Sequence, residues 1–314
     1  MIYVVRHRTT YEYSQDVSIS HHLLHLQPRS SRNQTCHRSS LIVEPAPAII
    51  KNDRDYFGNL ITYLTVQEPH VKLVIYATST VEVAPVAVPD PETTPPWDGI
   101  HRQLAAATEQ GALDAFQFAF DSPYTMTSNG AYDYAAQSFP PGRPVLAAAL
   151  DLTARVYHDF KYEGGVTDIS TPVDKVLKER RGVCQDFAHL QISCLRSLGL
   201  PARYVSGYLL TKPPEGKEKL VGSDASHAWV SVWVPGHGWV DLDPTNNLIP
   251  GDEHITIAWA RDYGDVSPIK GLVVGGGGHK VDVAVDVEPE NGNGCKMDYY
   301  RHNYKGKYKY IEDN

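Results

Sequence analysis

The strongest constraint on the fold is a pair of neighbouring segments with strict two-residue alternation, HAWVSVWV (227–234) and WVDLD (239–243). Because successive side chains of a strand point to opposite faces, one face of each segment is apolar. The opposite face carries tryptophans together with His227 in the first segment, and Asp241 and Asp243 in the second. The intervening Pro-Gly-His-Gly is typical of a turn, so the sequence predicts an antiparallel hairpin with a chemically equipped face.

The register of this hairpin decides which carboxylate can contact His227. If Trp233 pairs with Trp239 across the turn, Asp243 lies diagonal to His227. The two backbone positions are then about 7–8 Å apart, a distance that a histidine and an aspartate side chain can close. Asp241 shares the face and is the alternative, but Asp243 lies two residues nearer. We therefore predict a His227–Asp243 pair.

A cysteine stands where the next strong pattern, a helix, should begin. Apolar residues recur at helical spacing over 184–198, starting with Cys184. Gly199 suits the position after the last helical residue, and Pro201 prevents the helix from continuing. Cys184 is thus predicted in the first turn, where the helix dipole and the free N–H groups favour a thiolate.

Two interpretations of Cys184 follow from its position. Free cysteines are commonly buried core residues, which is the structural interpretation. A thiol with a histidine in reach, held in one tautomer by a third group, is instead an activated nucleophile. The predicted His227–Asp243 pair favours the second interpretation, with His227 as base and Asp243 as its orienting group.

The rest of the chain predicts an α+β protein. Residues 2–83 form short alternating runs, which predict an N-terminal antiparallel β-sandwich, and the proline-rich stretch 84–99 marks a domain boundary. Helical periodicity follows at 145–160, and Thr171-Pro172 begins a short helix through residue 177. The predicted divisions are an N-terminal domain (1–90), a catalytic domain (91–288) and a poorly ordered C-terminal tail (289–314).

Charge, cysteines and histidines exclude several classes of protein. The net charge is −8 and no long basic run is present, so we expect no nucleic-acid partner. No signal-peptide core and no stretch of about 20 apolar residues occurs, so we expect a cytoplasmic protein with no membrane contact.

The four cysteines form no C-x-x-C pair and are expected to be free. His21, His22 and His25 have no carboxylate or cysteine at a ligand spacing, so we predict packing or interface roles and no metal.

The stretches RRGVCQDFAHLQISCLRSLGLPARYVSGYL (180–209) and DASHAWVSVWVPGHGWVDLDPTNN (224–247) resemble the core of bacterial transglutaminase-like proteins, often described as cysteine proteases. Flanking motifs are similar as well: HHLLHLQPR, DYFGN and RDYGDVSPIKGLVVGGGGH. The resemblance covers nearly the whole chain except its last twenty-odd residues. Its core motifs are specific, whereas the flanking motifs support membership without defining chemistry.

The resemblance implies both a fold and a chemistry. In that family the Cys of G-x-C, the His of S-H-A-W and the Asp of D-P-T form the catalytic triad, and these positions are Cys184, His227 and Asp243 here. The family implies a papain-like α+β core, acyl transfer through a thioester, and no metal or organic cofactor. It also suggests peptide-ligating enzymes as partners, besides the peptide or protein substrate.

Other residues are candidates for the same site. The oxyanion of such a reaction needs hydrogen-bond donors, for which the Cys184 N–H is the first candidate and the hydroxyl of Tyr162 the second. Packing beside the helix is an equally good interpretation of Tyr162. Trp229 either walls the cleft or packs below it. Asp186 is a second cleft candidate, although an acid in a first helical turn is explained by the dipole alone. On the same helix, Cys194 is predicted to be a core residue and His189 a surface or polar-contact residue.

Three functions remain open from the sequence: a hydrolase, a protein-glutamine transglutaminase that uses an amine, and a non-catalytic peptide-binding module. The intact set of Cys, His and Asp argues against the binding module. No acidic calcium-binding loop and no secretion signal is evident, which favours intracellular hydrolysis. The lysines of the 211–224 loop, Lys212, Lys217 and Lys219, predict a preference for acidic peptides if the loop borders the cleft. The natural substrate and the oligomeric state do not follow from the sequence.

Overall fold

A computed structural model describes residues 1–106, 111–211 and 225–290 of the 314-residue chain. Within these ranges the strands are β1 (Ile2–Leu24), β2 (Gln34–Glu44), β3 (Ile49–Arg54), β4 (Leu60–Val66), β5 (His70–Val83), β6 (Lys161–Tyr162), β7 (Arg181–Gly182), β8 (Ala202–Leu209), β9 (Ala225–Val234), β10 (Gly238–Leu242), β11 (His254–Ala260), β12 (Ile269–Gly275) and β13 (His279–Pro289). The α-helices are α1 (Ile100–Ala105), α2 (Ala112–Phe116), α3 (Asn129–Ala136), α4 (Val145–Asp159), α5 (Val173–Glu179), α6 (Cys184–Ser197) and α7 (Tyr263–Val266).

One long strand organises the N-terminal part. The first half of β1 pairs antiparallel with β5 and β13, and its second half pairs with β4 and β12. The register shifts between Glu12 and Val17, where the two halves of β1 meet. Such irregularities bend a strand and increase its twist, so one strand can serve both halves of the sheet.

The sheet curls around a core of its own, which confirms the predicted sandwich-like packing of antiparallel strands. Leu24 of β1, Val43 of β2, Leu64 of β4 and Ile75 of β5 all lie in one buried cluster. These strands belong to both halves of the sheet, so the halves must face each other. The alternation of apolar residues along residues 2–83 supplies that inner face.

The last two strands return to this N-terminal sheet. We predicted residues up to 288 as part of the catalytic domain, whereas β12 and β13 pair with β1. Val285 and Val287 join Tyr3 and Val5 in a core shared with the helices and with strands β8 to β11. Alternation predicts that a segment is a strand but not which strand it pairs with, so this return was not foreseen. The division near residue 90 stays a prediction, and residues 291–314 of the predicted tail lie outside the described ranges.

The core part of the chain, residues 100–260, contains a four-stranded antiparallel sheet of order β10-β9-β8-β11 that packs against helices. α6 contacts β8 and β9, and α3, α4 and α5 contact α6. As a result α6 is buried from Asp186 to Arg196. The predicted helices at 145–160, 172–177 and 184–198 are confirmed to within two residues at each end, although Pro172 precedes α5 as its N-cap. Gly199 has the left-handed φ of 75° that was expected after α6.

None of the helices in the described ranges has both the length and the apolar character needed to cross a bilayer.

Candidate active site

Cys184 is the first residue of α6, and its side chain is partly exposed. The N–H groups of a first helical turn have no partner within the helix, so they are free to bind an anion. Asp186 is buried and fixes this helix start, since it accepts hydrogen bonds from the Val183 N–H at 2.8 Å and from Thr167 Oγ1 at 2.7 Å. A Cβ on Gly182 would lie 2.7 Å from Asp186 Oδ2, so this turn requires glycine. The structure therefore assigns Asp186 to the helix start.

The hairpin has the predicted register. Trp233 pairs with Trp239, which brings the end of β10 beside the start of β9. His227 Nε2 donates to Asp243 Oδ2 at 2.8 Å, and both side chains are buried. The contact predicted from two-residue alternation is thus confirmed.

The competing carboxylate, Asp241, has a different partner. It accepts a hydrogen bond from Trp229 Nε1 at 3.0 Å. The Trp229 ring is fully buried and its centroid lies 6.0 Å from that of His227. A buried ring cannot wall an open cleft, so Trp229 has the packing role. Gly207, which pairs with His227, leaves room for it: an added Cβ would lie 2.5 Å from the Trp229 ring.

Asp243 is held by five donors. Its Oδ2 accepts from His227 Nε2, from His254 Nε2 at 3.1 Å and from Asn246 Nδ2 at 2.7 Å. Its Oδ1 accepts from the backbone N–H groups of Thr245 at 2.9 Å and Asn246 at 3.2 Å. Both carboxylate oxygens are therefore fixed in position.

Sequence reasoning predicted the His227 donor and missed the other four, which belong to Thr245, Asn246 and His254. Asn246 stands in the DPTNN turn, where an Asp that bonds the backbone two and three residues on is a common local pattern. That pattern could have identified the turn. His254 begins a different strand, and no local signal connects it to Asp243.

These contacts determine the charges of the pair. Burial lowers the pKa of His227, but hydrogen bonds with Asp243 and Cys184 and the charges of these two groups outweigh burial and raise the pKa to about 9. Burial alone would raise the pKa of Asp243, yet hydrogen bonds from His227 and His254 hold that pKa well below its usual value. At neutral pH His227 is an imidazolium beside a carboxylate.

The arrangement can activate a thiol. Asp243 occupies Nε2 of His227, so Nδ1 is the ring nitrogen left for its hydrogen bond with Cys184. An imidazolium in this position can balance a thiolate and can later donate its proton to a leaving group. Thiol, imidazole and carboxylate thus form one hydrogen-bonded series at a helix N-terminus.

The same residues meet the spacing requirement of a metal centre. Single ligand atoms of His227, Asp243 and His254 lie within 4.8 Å of one another. However, Asp243 Oδ2 already accepts three hydrogen bonds, two of them from these histidines. Each Nε2 that would bind a metal is thereby used as a donor, so the donor set fits a hydrogen-bonded network better than a metal centre.

Tyr162 lies beside the helix start. It pairs with Gly182 in the short parallel ladder of β6 and β7, and its ring packs edge-on against Phe187 with 6.3 Å between centroids. The predicted packing contact is therefore confirmed. Tyr162 is 56% exposed. Its partial burial and, to a smaller extent, the charges of Cys184 and Asp186 raise the pKa of its hydroxyl. Its hydroxyl as an oxyanion donor stays a prediction.

Three further residues or segments were predicted from the sequence. Cys194 is a core residue, as expected, and burial raises the pKa of its thiol to about 12. His189 was predicted as a surface or polar-contact residue. The surface alternative is wrong, because helices and the sheet cover α6 and bury His189. The polar contact is present, since His189 Nε2 accepts a hydrogen bond from the Tyr263 N–H at 3.1 Å. The lysines of the 211–224 loop lie outside the described residues.

Two family models match this chain. The bacterial transglutaminase-like N-terminal region matches residues 3–82, and the transglutaminase-like superfamily matches residues 133–244. The second match contains Cys184, His227 and Asp243. The two matches thus correspond to the curled N-terminal sheet and to most of the core part.

Individual proteins are similar over the same regions. A Mycobacterium tuberculosis protein of uncharacterized function is 42% identical over 302 residues, which cover 93% of this chain and 94% of that protein. A Pseudomonas aeruginosa protein-glutamine gamma-glutamyltransferase is 38% identical over 107 residues, which cover 32% of this chain and 16% of that protein.

Among solved structures, a candidate cysteine protease from Cytophaga hutchinsonii aligns with a TM-score of 0.71 and 24% identity, covering 93% of this chain and 91% of that chain. This likeness shows a shared fold over both parts of the protein. The chain belongs to the transglutaminase-like superfamily, with the bacterial transglutaminase-like N-terminal region joined to the core.

Proposed function

We propose that the protein is a cysteine hydrolase that cleaves peptide or glutamine side-chain amides through a thioester on Cys184. The observation that supports this most strongly is the buried His227–Asp243 hydrogen bond beside a partly exposed thiol at a helix N-terminus. Asp243 holds His227 in the tautomer whose Nδ1 faces the thiol. A binding module would have no need of a buried, charged pair at that position, since burying charges is costly.

In the first half-reaction Cys184 Sγ bonds to the amide carbon, and the carbonyl electron pair moves to the oxygen. The Cys184 N–H and, in this proposal, the Tyr162 hydroxyl donate to the resulting oxyanion. When the tetrahedral intermediate collapses, the C–N bond breaks. The imidazolium of His227 gives its proton to the departing amine, which leaves a thioester and a neutral His227.

In the second half-reaction neutral His227 takes a proton from water, and the oxygen attacks the thioester carbon. The C–S bond then breaks and Cys184 leaves as a thiolate beside the reformed imidazolium. If a primary amine takes the place of water, the product is a new amide rather than an acid. Hydrolysis and amine transfer therefore share every protein group in this mechanism.

Amine transfer is the second candidate. The 38% identity with the Pseudomonas aeruginosa glutamyltransferase favours it, although the match covers 16% of that protein. We favour hydrolysis because water needs only access to the thioester, whereas transfer needs a pocket that binds an amine and excludes water.

Mass spectrometry of products distinguishes these functions. The native protein and Cys184→Ala are each incubated with a pool of glutamine-containing peptides, with and without a primary amine. We expect cleaved or deamidated peptides after incubation with the native protein and none after incubation with Cys184→Ala. Amine-adducted glutamines would establish the transferase instead, and identical peptide pools for both proteins would contradict both enzymatic functions.

Tyr162→Phe tests the proposed second oxyanion donor. Loss of one such donor is expected to lower kcat by roughly 10²-fold while changing KM little, because the interaction forms mainly in the transition state. Tyr157→Phe is the matched control. Tyr157 is also an exposed tyrosine, but it lies on α4. Steady-state kinetics of both variants would contradict the role if Tyr162→Phe retained the kcat of the control.

A further inference from the structure

β11 connects the candidate active site to the N-terminal sheet. It is an end strand of the four-stranded sheet of order β10-β9-β8-β11, where it pairs with β8. Its first residue, His254, is buried and donates from Nε2 to Asp243 Oδ2 at 3.1 Å. The His254 ring packs edge-on against Trp229, with 5.3 Å between centroids. The position of β11 therefore fixes one of the donors on the carboxylate.

Side-chain amides of the N-terminal sheet pair with the outer edge of β11. Gln34 donates to the Thr256 carbonyl at 2.7 Å and accepts from the Thr256 N–H at 2.8 Å. Asn59 does the same with Trp259, at 2.9 Å and 3.0 Å. Each side-chain amide thus makes the two hydrogen bonds that one residue of a neighbouring strand would make. The amides therefore cover this edge of β11 without an additional strand.

The spacing of these contacts follows from an irregularity in β11. Outward N–H and C=O groups recur every second residue of a regular strand. The register with β8 shifts between Thr256 and Ala258, so the next outward-facing residue is Trp259 rather than Ala258. The two N-terminal amides are therefore matched to this particular strand.

The amides are themselves held firmly. Asn59 is fully buried, and its Nδ2 also donates to Asp55 Oδ2 at 2.7 Å. Arg29 donates to Asn59 Oδ1, and its guanidinium carbon lies 3.2 Å from the centroid of the Trp259 ring. Removing either amide would leave partly buried backbone groups of β11 without this partner, which is costly.

We infer that His254 is a positioning residue for the proposed reaction, and that Gln34 and Asn59 set its place by fixing β11. His254 acts through Asp243: together with Asn246 it donates to Oδ2, and it prevents the carboxylate from rotating away from His227. The N-terminal sheet is then part of the catalytic apparatus. This inference rests on the proposed function for its meaning, but its geometry can be tested without turnover.

The test measures the titration midpoint of His227 by NMR of protein with ¹⁵N-labelled histidine, in native protein and in two His254 variants. Among the described residues, the titratable groups that face His227 are Cys184, Asp243 and His254. His254→Leu removes one of the three donors on Oδ2. Because the inference is that His254 keeps the carboxylate turned towards His227, we expect Asp243 to rotate away in this variant and the midpoint to fall from about 9 by about one unit. Loss of a donor from a carboxylate that stays in place would instead raise the midpoint. His254→Gln keeps an N–H donor, so its His227 midpoint is expected to stay close to the native value. With an active substrate, kcat/KM of His254→Leu should fall roughly 10- to 100-fold.

Gln34→Leu and Asn59→Leu are expected to shift the His227 midpoint in the same direction by a smaller amount. Gln191→Leu is the control, because Gln191 is a buried amide that bonds to Thr153 on α4, away from β11. It should lower the melting temperature and leave the midpoint unchanged. An unchanged or raised midpoint in a folded His254→Leu protein would overturn the inference. A shifted midpoint without any Cys184-dependent product would instead refute the proposed function alone.

Discussion

Cys184→Ala is expected to lower kcat/KM for peptide turnover by roughly 10⁴- to 10⁶-fold, the loss typical of removing a nucleophile. The thiol is the only group of the series that forms a covalent bond in the proposed mechanism, so no neighbouring side chain can replace it. His227→Ala should cause a loss of similar size, because a base and its nucleophile act as one unit. Product formation by mass spectrometry measures both.

Two comparisons make this prediction specific. The double variant Cys184→Ala with His227→Ala should be no less active than either single variant, since the losses are not additive. Cys36→Ala removes another partly exposed thiol, on β2, and should keep native activity. Retention of more than about 1% of native turnover by Cys184→Ala would contradict the assignment of the nucleophile.

Asp243→Asn is expected to lower kcat/KM at pH 7 by about 10³-fold and to move the alkaline limb of its pH profile to lower pH. Asparagine has the size of aspartate but no charge. Without that charge the burial of His227 dominates, and its pKa falls from about 9. The imidazolium that protonates the leaving amine is then lost at a lower pH. A profile of kcat/KM between about pH 5 and 10 measures both changes.

Asp241→Asn is the matched control for this prediction. Asp241 lies on the same face of the hairpin but bonds to Trp229 rather than to His227. Its substitution should weaken the packing of Trp229 and leave the alkaline limb in place. If Asp241→Asn and Asp243→Asn gave the same loss and the same profile, the third role would not belong to Asp243.

The pair also contributes to stability in a pH-dependent way. Because the pKa of His227 is raised on folding, its contribution is complete below the unfolded value of about 6.5 and is lost as the pH rises through about 9. The pKa of Asp243 is lowered, so its contribution is present above about 3.9 and is lost as the pH falls towards its folded value. The native protein should therefore lose more unfolding free energy than Asp243→Asn between about pH 7 and 10.

The contact at the centre of the site could be predicted because it depends on local patterns. Two-residue alternation and one turn placed His227 near Asp243, and the pairing of Trp233 with Trp239 has the expected register. The start of α6 at Cys184 followed from helical periodicity in the same way. In each case the residues that carry the signal lie within about one element of one another.

The parts that could not be predicted depend on contacts between distant segments. His254 reaches Asp243 from another strand, and Gln34 reaches Thr256 across 222 residues. The return of β13 to β1 and the burial of His189 are of the same kind. Pairing and burial in these cases depend on the assembled layers, about which local periodicity carries no information.

The central claim is that His227 activates Cys184, and the rate of alkylation of each cysteine by iodoacetamide tests it without a substrate. Peptide mapping at pH 7 resolves Cys184 from Cys36, a thiol of comparable exposure. We predict that Cys184 reacts at least ~10-fold faster than Cys36 in the native protein, and at a rate similar to Cys36 in His227→Ala. Equal rates in the native protein, or a Cys184 rate that does not change in His227→Ala, would contradict the account.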